Sequence, residues 1–182
     1  MRHALIARYG DVPRDGDGES EAERFRTACI NMKQTLSDGV PCEILPHLFL
    51  GGVGAAYSGD RLQAASITHV LNVTPNLQNL FPDRFTYLRV AVDDAPDADL
   101  AAHFDACTAF INAARAQHGR VLVHCYQGVS RSVAVVCAYL IVTLRVDAAT
   151  ALDMVRRAGR PAAGPNSGFL RALRALEEQQ PS

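Results

Sequence analysis

The chain has 182 residues, 48% of them hydrophobic, and a formal net charge of −1 at pH 7. That length suits one domain of ordinary size with an extension, and the apolar share describes a globular protein with a real core. Having neither a polybasic surface nor an acidic tail, it shows no electrostatic footprint for nucleic acid or for a membrane.

The start, "MRHALIARYGDVPRDGDGESE", lacks the apolar run of a signal peptide, and no stretch of about 18 apolar residues predicts a membrane span. Neither end carries a lipidation motif. Cys29, Cys42, Cys107, Cys125 and Cys137 are odd in number, irregularly spaced and free of any CxxC pair. They are expected to be free thiols in a reducing compartment, with no zinc or other metal. The expected address is cytoplasmic, with the nucleus open to the protein as well.

Residues 1–40 are read as an N-terminal extension. "GDVPRDGDGE" predicts loop or disorder. A capping box at Ser20 and Glu23, with Phe25, Cys29, Met32 and Leu36 on one stripe, predicts a helix over about 21–37. Residues 41–179 form the main domain. "EILPHLFLGG" suggests two short strands around Pro46, and "SGDRLQAAS" a short helix. "ITHVLNVT" (67–74) and "TYLRVAV" (86–92) are strand candidates, followed by a helix over about 99–117. "RVLVHC" is a fully apolar strand of the buried type. Helices over 130–144, 148–158 (behind an Asp147 cap) and about 167–178 close the chain. This alternation predicts an α/β fold: a twisted, mostly parallel central sheet of about five strands with helices on both faces.

The chemistry concentrates where "RVLVHC" meets the next helix, in "HCYQGVSRS". A buried strand delivers Cys125 to the C-terminal edge of the sheet, where α/β folds place their ligands. Gly128 permits a tight turn, and the helix that follows aims its unpaired amides back into the loop. Successive amides at Tyr126, Gln127, Gly128, Val129 and Ser130 and a helix N-terminus make an anion cradle. Arg131 adds a planar fork that holds two oxygens at once. Such a positive environment favours a thiolate, so a nucleophile and a site for a tetrahedral anion share one loop. The bland reading of Cys125, a small buried hydrophobe, fits Cys137 far better. His124 is expected to orient the loop rather than carry protons.

"HCYQGVSRS" matches the His-Cys-x5-Arg-Ser/Thr signature of protein tyrosine phosphatases, in the form used by dual-specificity phosphatases. The chain resembles that family over about 42–178, through "EILPHLFLGG", "ITHVLNVTPNLQNLF", "YLRVAVDD" and "GPNSGFLRAL" in the family's order. "VLNVTPNLQNLF" is most similar to the MAP-kinase phosphatase branch. The resemblance implies the three-layer phosphatase fold, no cofactor, a shallow pocket, and a phosphorylated protein as substrate, with a MAP kinase among the candidates. It also implies a general acid shortly after "YLRVAV". The match falls on Asp94, with Asp93 its neighbour and Asp97 a poorer candidate. Ser132 takes the hydroxyl position that helps sulfur leave, although a helical serine can simply bond its own backbone. Asn166 matches an asparagine that braces the phosphate loop, and is locally also an N-cap. Gln127 departs from the family's usual alanine, which bears on specificity more than on activity.

Two other classes compete. One is a catalytically weak phosphoprotein-binding module with the same cradle; the presence of cysteine, arginine, serine and an acid argues against it. The other is an arsenate-reductase-like enzyme, which would place the loop near the N-terminus or pair it with further cysteines. The loop has no lysine, which disfavours inositol phospholipid substrates.

Overall fold

The computed structural model describes residues 38–180; the expected loop start and the helix over 21–37 lie outside the described residues. Five strands form one sheet: β1 (Cys42–Leu45), β2 (Leu48–Gly51), β3 (His69–Asn72), β4 (Thr86–Arg89) and β5 (Val121–His124). Their order is β1-β2-β5-β3-β4. The β1–β2 hairpin is antiparallel and the other pairs are parallel, as the alternating pattern of strands and helices predicts. The last strand in sequence thus lies at the centre, with His124 between Gly51 of β2 and Asn72 of β3.

Side chains alternate along each strand, so the sheet has two apolar faces. On one, Leu48, Leu50, Leu71, Val121 and Val123 pack against α3 (Phe104–Ala116), α4 (Arg131–Leu144), α5 (Ala148–Arg157) and α6 (Ser167–Glu178). On the other, Phe49, Val70 and Leu122 meet a thinner cover from α1 (Val53–Ala56) and α2 (Gly59–Ala64), through Ala56 and Leu62. The centre of the first face is α4, buried continuously from Arg131 to Ile141. Truncating one of its large apolar side chains, such as Leu140, costs ~2–5 kcal/mol because the surroundings relax only partly. Among the described residues no single helix is long and apolar enough to cross a membrane.

Side-chain caps set the starts of α5 and α6. Asp147 accepts from the Thr150 amide at 2.6 Å, and Asn166 from the Phe169 amide at 3.0 Å. The strands are shorter than their apolar runs. Ile67 is drawn off by the end of α2, its amide bonding to Leu62 O, after Ser66 at φ 54°. Beyond Asn72, Thr74 turns the chain by donating to Asn72 Oδ1 and accepting from the Leu77 amide. The helix expected from 99 begins instead with a 3-10 turn at Ala101–His103. Helix α1 has no counterpart in the sequence reading, since "GGVGAAY" is too short and glycine-rich to signal one.

Candidate active site

Strand β5 ends at His124, and Cys125 is the first residue beyond it, 2% exposed. The chain then curls through Tyr126–Ser130 into α4. The curl depends on Gly128, at φ 72°, where a Cβ would lie 2.7 Å from Gly51 O. Gly52 backs the same loop: a Cβ there would meet Tyr126 O at 3.0 Å, and the Val53 amide donates to that carbonyl at 2.9 Å. The paired glycines at the end of β2 therefore form the wall against which the loop is moulded. That role was missed in the sequence, where "GG" after a strand was the available signal.

Within the curl, Cys125 Sγ accepts from the Gly128 amide at 3.3 Å and from Ser132 Oγ at 3.1 Å. Ser132 is fully buried, and its hydroxyl proton is committed to sulfur rather than to the helix backbone. Arg131 is 5% exposed, and its Nη1 donates to Val92 O at 3.3 Å. Its Nε is buried without a hydrogen-bond partner. The nearest anion is Asp94 Oδ2 at 3.6 Å, too far for a hydrogen bond though within reach of Coulomb attraction. A buried guanidinium N–H left unpaired is costly, which suits a donor reserved for a ligand oxygen.

His124 is 1% exposed, and its Nδ1 lies 3.2 Å from Cys125 O. Burial pushes its pKa down to about 4; the bond to the carbonyl opposes this, and the charges of Arg89 and Arg131 add to it. A neutral ring at pH 7 must donate Nδ1–H to that carbonyl. His124 therefore orients the loop and is not placed to shuttle protons. Two other thiols belong to the core: burial pushes Cys107 and Cys137 up to about 12, so both stay protonated.

Asp94 reaches the loop from the segment after β4. Its Oδ1 accepts from Ser130 Oγ at 2.6 Å and from Asn166 Nδ2 at 2.9 Å. Asp93 and Asp97, exposed as Asp94 is, make no side-chain hydrogen bond to the loop. The Asp94 segment rests on the start of α6: a Cβ on Gly168 would overlap the Pro96 carbonyl, and Arg171 donates to that carbonyl at 3.4 Å. The Gly164 amide donates to Val129 O at 2.9 Å, so the 158–166 loop braces the cradle from the same side. All the expected site residues thus converge on one sheet edge, with Gln127 exposed on the outside of the curl. Among the described residues no group of His, Cys, Asp and Glu could hold a metal ion.

Comparisons with known proteins identify the family. The family described as dual specificity phosphatase, catalytic domain, matches residues 48–179. Dual specificity protein phosphatase 1 of Arabidopsis thaliana is 44% identical over 141 residues, which cover 78% of this chain and 71% of that one. Protein phosphatase Slingshot homolog 3 of Mus musculus is 45% identical over 134 residues, 74% of this chain but 20% of that protein's length. Of the solved structures, human DUSP28 aligns with a TM-score of 0.71 at 38% identity, over 76% of this chain and 93% of that one.

Proposed function

From the premise that this chain belongs to the dual specificity phosphatase family, and is a protein phosphatase, we propose how its own residues carry the reaction. Cys125 Sγ attacks phosphorus in line, forming an S–P bond as the P–O bond to the departing tyrosyl, seryl or threonyl oxygen breaks. The Arg131 fork and the amides of the 126–130 loop hold the three equatorial oxygens. Asp94 gives its proton to the leaving oxygen. Water then attacks the phosphocysteine, losing a proton to Asp94, and the S–P bond breaks. The Ser132 hydroxyl stabilises the departing thiolate.

The observation that carries this reading is one loop that holds Sγ by Ser132 and the Gly128 amide and leads into a buried Arg131 whose Nε makes no hydrogen bond. The binding-module alternative needs a site missing one chemical group; nucleophile, fork, hydroxyl and carboxylate are all within the cluster. The catalytic unit is taken as 41–179, and the substrate as a phosphorylated protein. MAP kinases are the first class to try, on the likeness of "VLNVTPNLQNLF" alone. Cys42, Cys107, Cys125 and Cys137 are free thiols, which supports a reducing cytoplasmic or nuclear setting.

The test is hydrolysis of para-nitrophenyl phosphate and a phosphopeptide panel, in EDTA, by the protein and by Cys125→Ser. Turnover persists in EDTA and falls by at least ~10⁴-fold in Cys125→Ser, while phosphopeptide binding remains. Undiminished turnover in the serine protein would refute the mechanism.

A further inference from the structure

We propose that Ser130 and Asn166 are positioning residues for the acid. Together they hold Asp94 Oδ1 so that Oδ2, the oxygen turned toward the cradle, is the one that carries the transferable proton. This rests on the reading of Asp94 as the general acid.

The bonding pattern leaves little freedom. Ser130 stands at the N-cap of α4 yet makes no side-chain cap bond to its own helix. Its single hydroxyl proton goes to Asp94 Oδ1 at 2.6 Å, and its oxygen accepts from the Asn166 amide at 3.2 Å. Asn166 is fixed in turn: its Oδ1 caps α6 by accepting from the Phe169 amide, so Nδ2 must face Asp94. Phe169 is 1% exposed and anchors that turn in the core.

Oδ1 therefore receives two donors, Ser130 from the phosphate loop itself and Asn166 from the N-cap of α6. A carboxylic proton on Oδ1 would confront both donor hydrogens, so the proton belongs on Oδ2. That oxygen lies 3.6 Å from Arg131 Nε, the donor assigned to phosphate. The proton thus starts on the side where the P–O bond breaks. It passes from Oδ2 to the leaving oxygen, and the carboxylate left behind keeps both Oδ1 bonds for the water step. Because the bracket is already complete here, together with the seat of Pro96 over Gly168, the acid needs no closing step.

The experiment compares para-nitrophenyl phosphate, whose leaving group departs readily without a proton, with phenyl phosphate, whose leaving group needs one. Ser130→Ala removes the hydroxyl. Asn166→Ser keeps an N-cap acceptor for α6 and removes only the amide donor, which guards against misfolding. Each variant is expected to lose about 10-fold more kcat on phenyl phosphate than on the nitrophenyl ester, and Ser130→Thr to recover most of it. In an Asp94→Asn background that selective loss disappears. Equal losses on both esters from Ser130→Ala and Asn166→Ser, beside a selective loss from Asp94→Asn, overturn the bracket and leave the acid standing. Equal losses from Asp94→Asn itself overturn the acid assignment and the bracket with it.

Discussion

The phosphate loop and the acid segment are built by opposite means. The eight consecutive residues from Cys125 to Ser132 supply the thiol, the Gly128 amide and Ser132 hydroxyl that bond it, and the Arg131 fork. Asp94 is instead held by residues 36 and 72 positions away in sequence, Ser130 and Asn166. A local turn needs only its backbone conformation and a wall behind it. A distant carboxylate needs several segments to pack correctly first. The two halves of the site should therefore fail differently.

The largest effect is expected from breaking the local half. Gly128→Val forces a β-branched residue into φ 72° and drives its Cβ into the Gly51 carbonyl. Turnover on every ester should fall by ~10³-fold or more, with slower alkylation of Cys125 by iodoacetate. Thermal unfolding should show a loss of ~2–4 kcal/mol. Retained activity would mean that the loop does not depend on this turn.

His124 tests the floor shared by both halves. Its folded pKa of about 4 lies below its ordinary 6.5, so between those values the unfolded chain binds more protons than the folded one. The stability contribution is complete above pH 6.5, is lost as pH falls toward 4, and changes no further below that. Between pH 7 and pH 5 this amounts to about 2 kcal/mol. His47 and His69 shift in the same direction, also by burial, so the comparison must be with a His124→Gln protein. Urea unfolding at the two pH values should show a smaller pH-dependent loss in that variant; an unchanged loss would contradict the buried neutral ring.

The smallest and most selective effect belongs to the distant half. Gly168→Ala improves helix propensity by up to ~1 kcal/mol but pushes on the Pro96 carbonyl and the segment carrying Asp94. That backbone overlap should cost ~1–3 kcal/mol of stability and leave Cys125 alkylation unchanged, while kcat on phenyl phosphate drops about 10-fold relative to the nitrophenyl ester. A uniform loss on both esters would show that the acid segment and the cradle move as one.

How much could be read in advance follows the same division. The cradle was legible because strand, turn and helix start are consecutive, and their chemistry follows from spacing alone. The order of the strands was not, since an apolar run says that a strand is buried but not which neighbours it takes; β5 at the centre is settled by packing. Asp94 was separated from Asp93 and Asp97 only by likeness to a family, because three carboxylates in one acidic loop look alike until the fold shows which one is bonded. The second function of Ser130 was invisible, as nothing local marks a hydroxyl whose partners come from residues 94 and 166.

The amino-acid order by itself determined an α/β domain and a cysteine-arginine loop built to hold a tetrahedral anion, because both arise from short-range geometry: strand alternation, a glycine turn and a helix start. Only the tertiary structure decided that Gly51 and Gly52 back the loop, that α6 seats the acid segment, and which carboxylate meets Arg131. Those are contacts between segments far apart in the chain, and their formation depends on the whole core closing around α4.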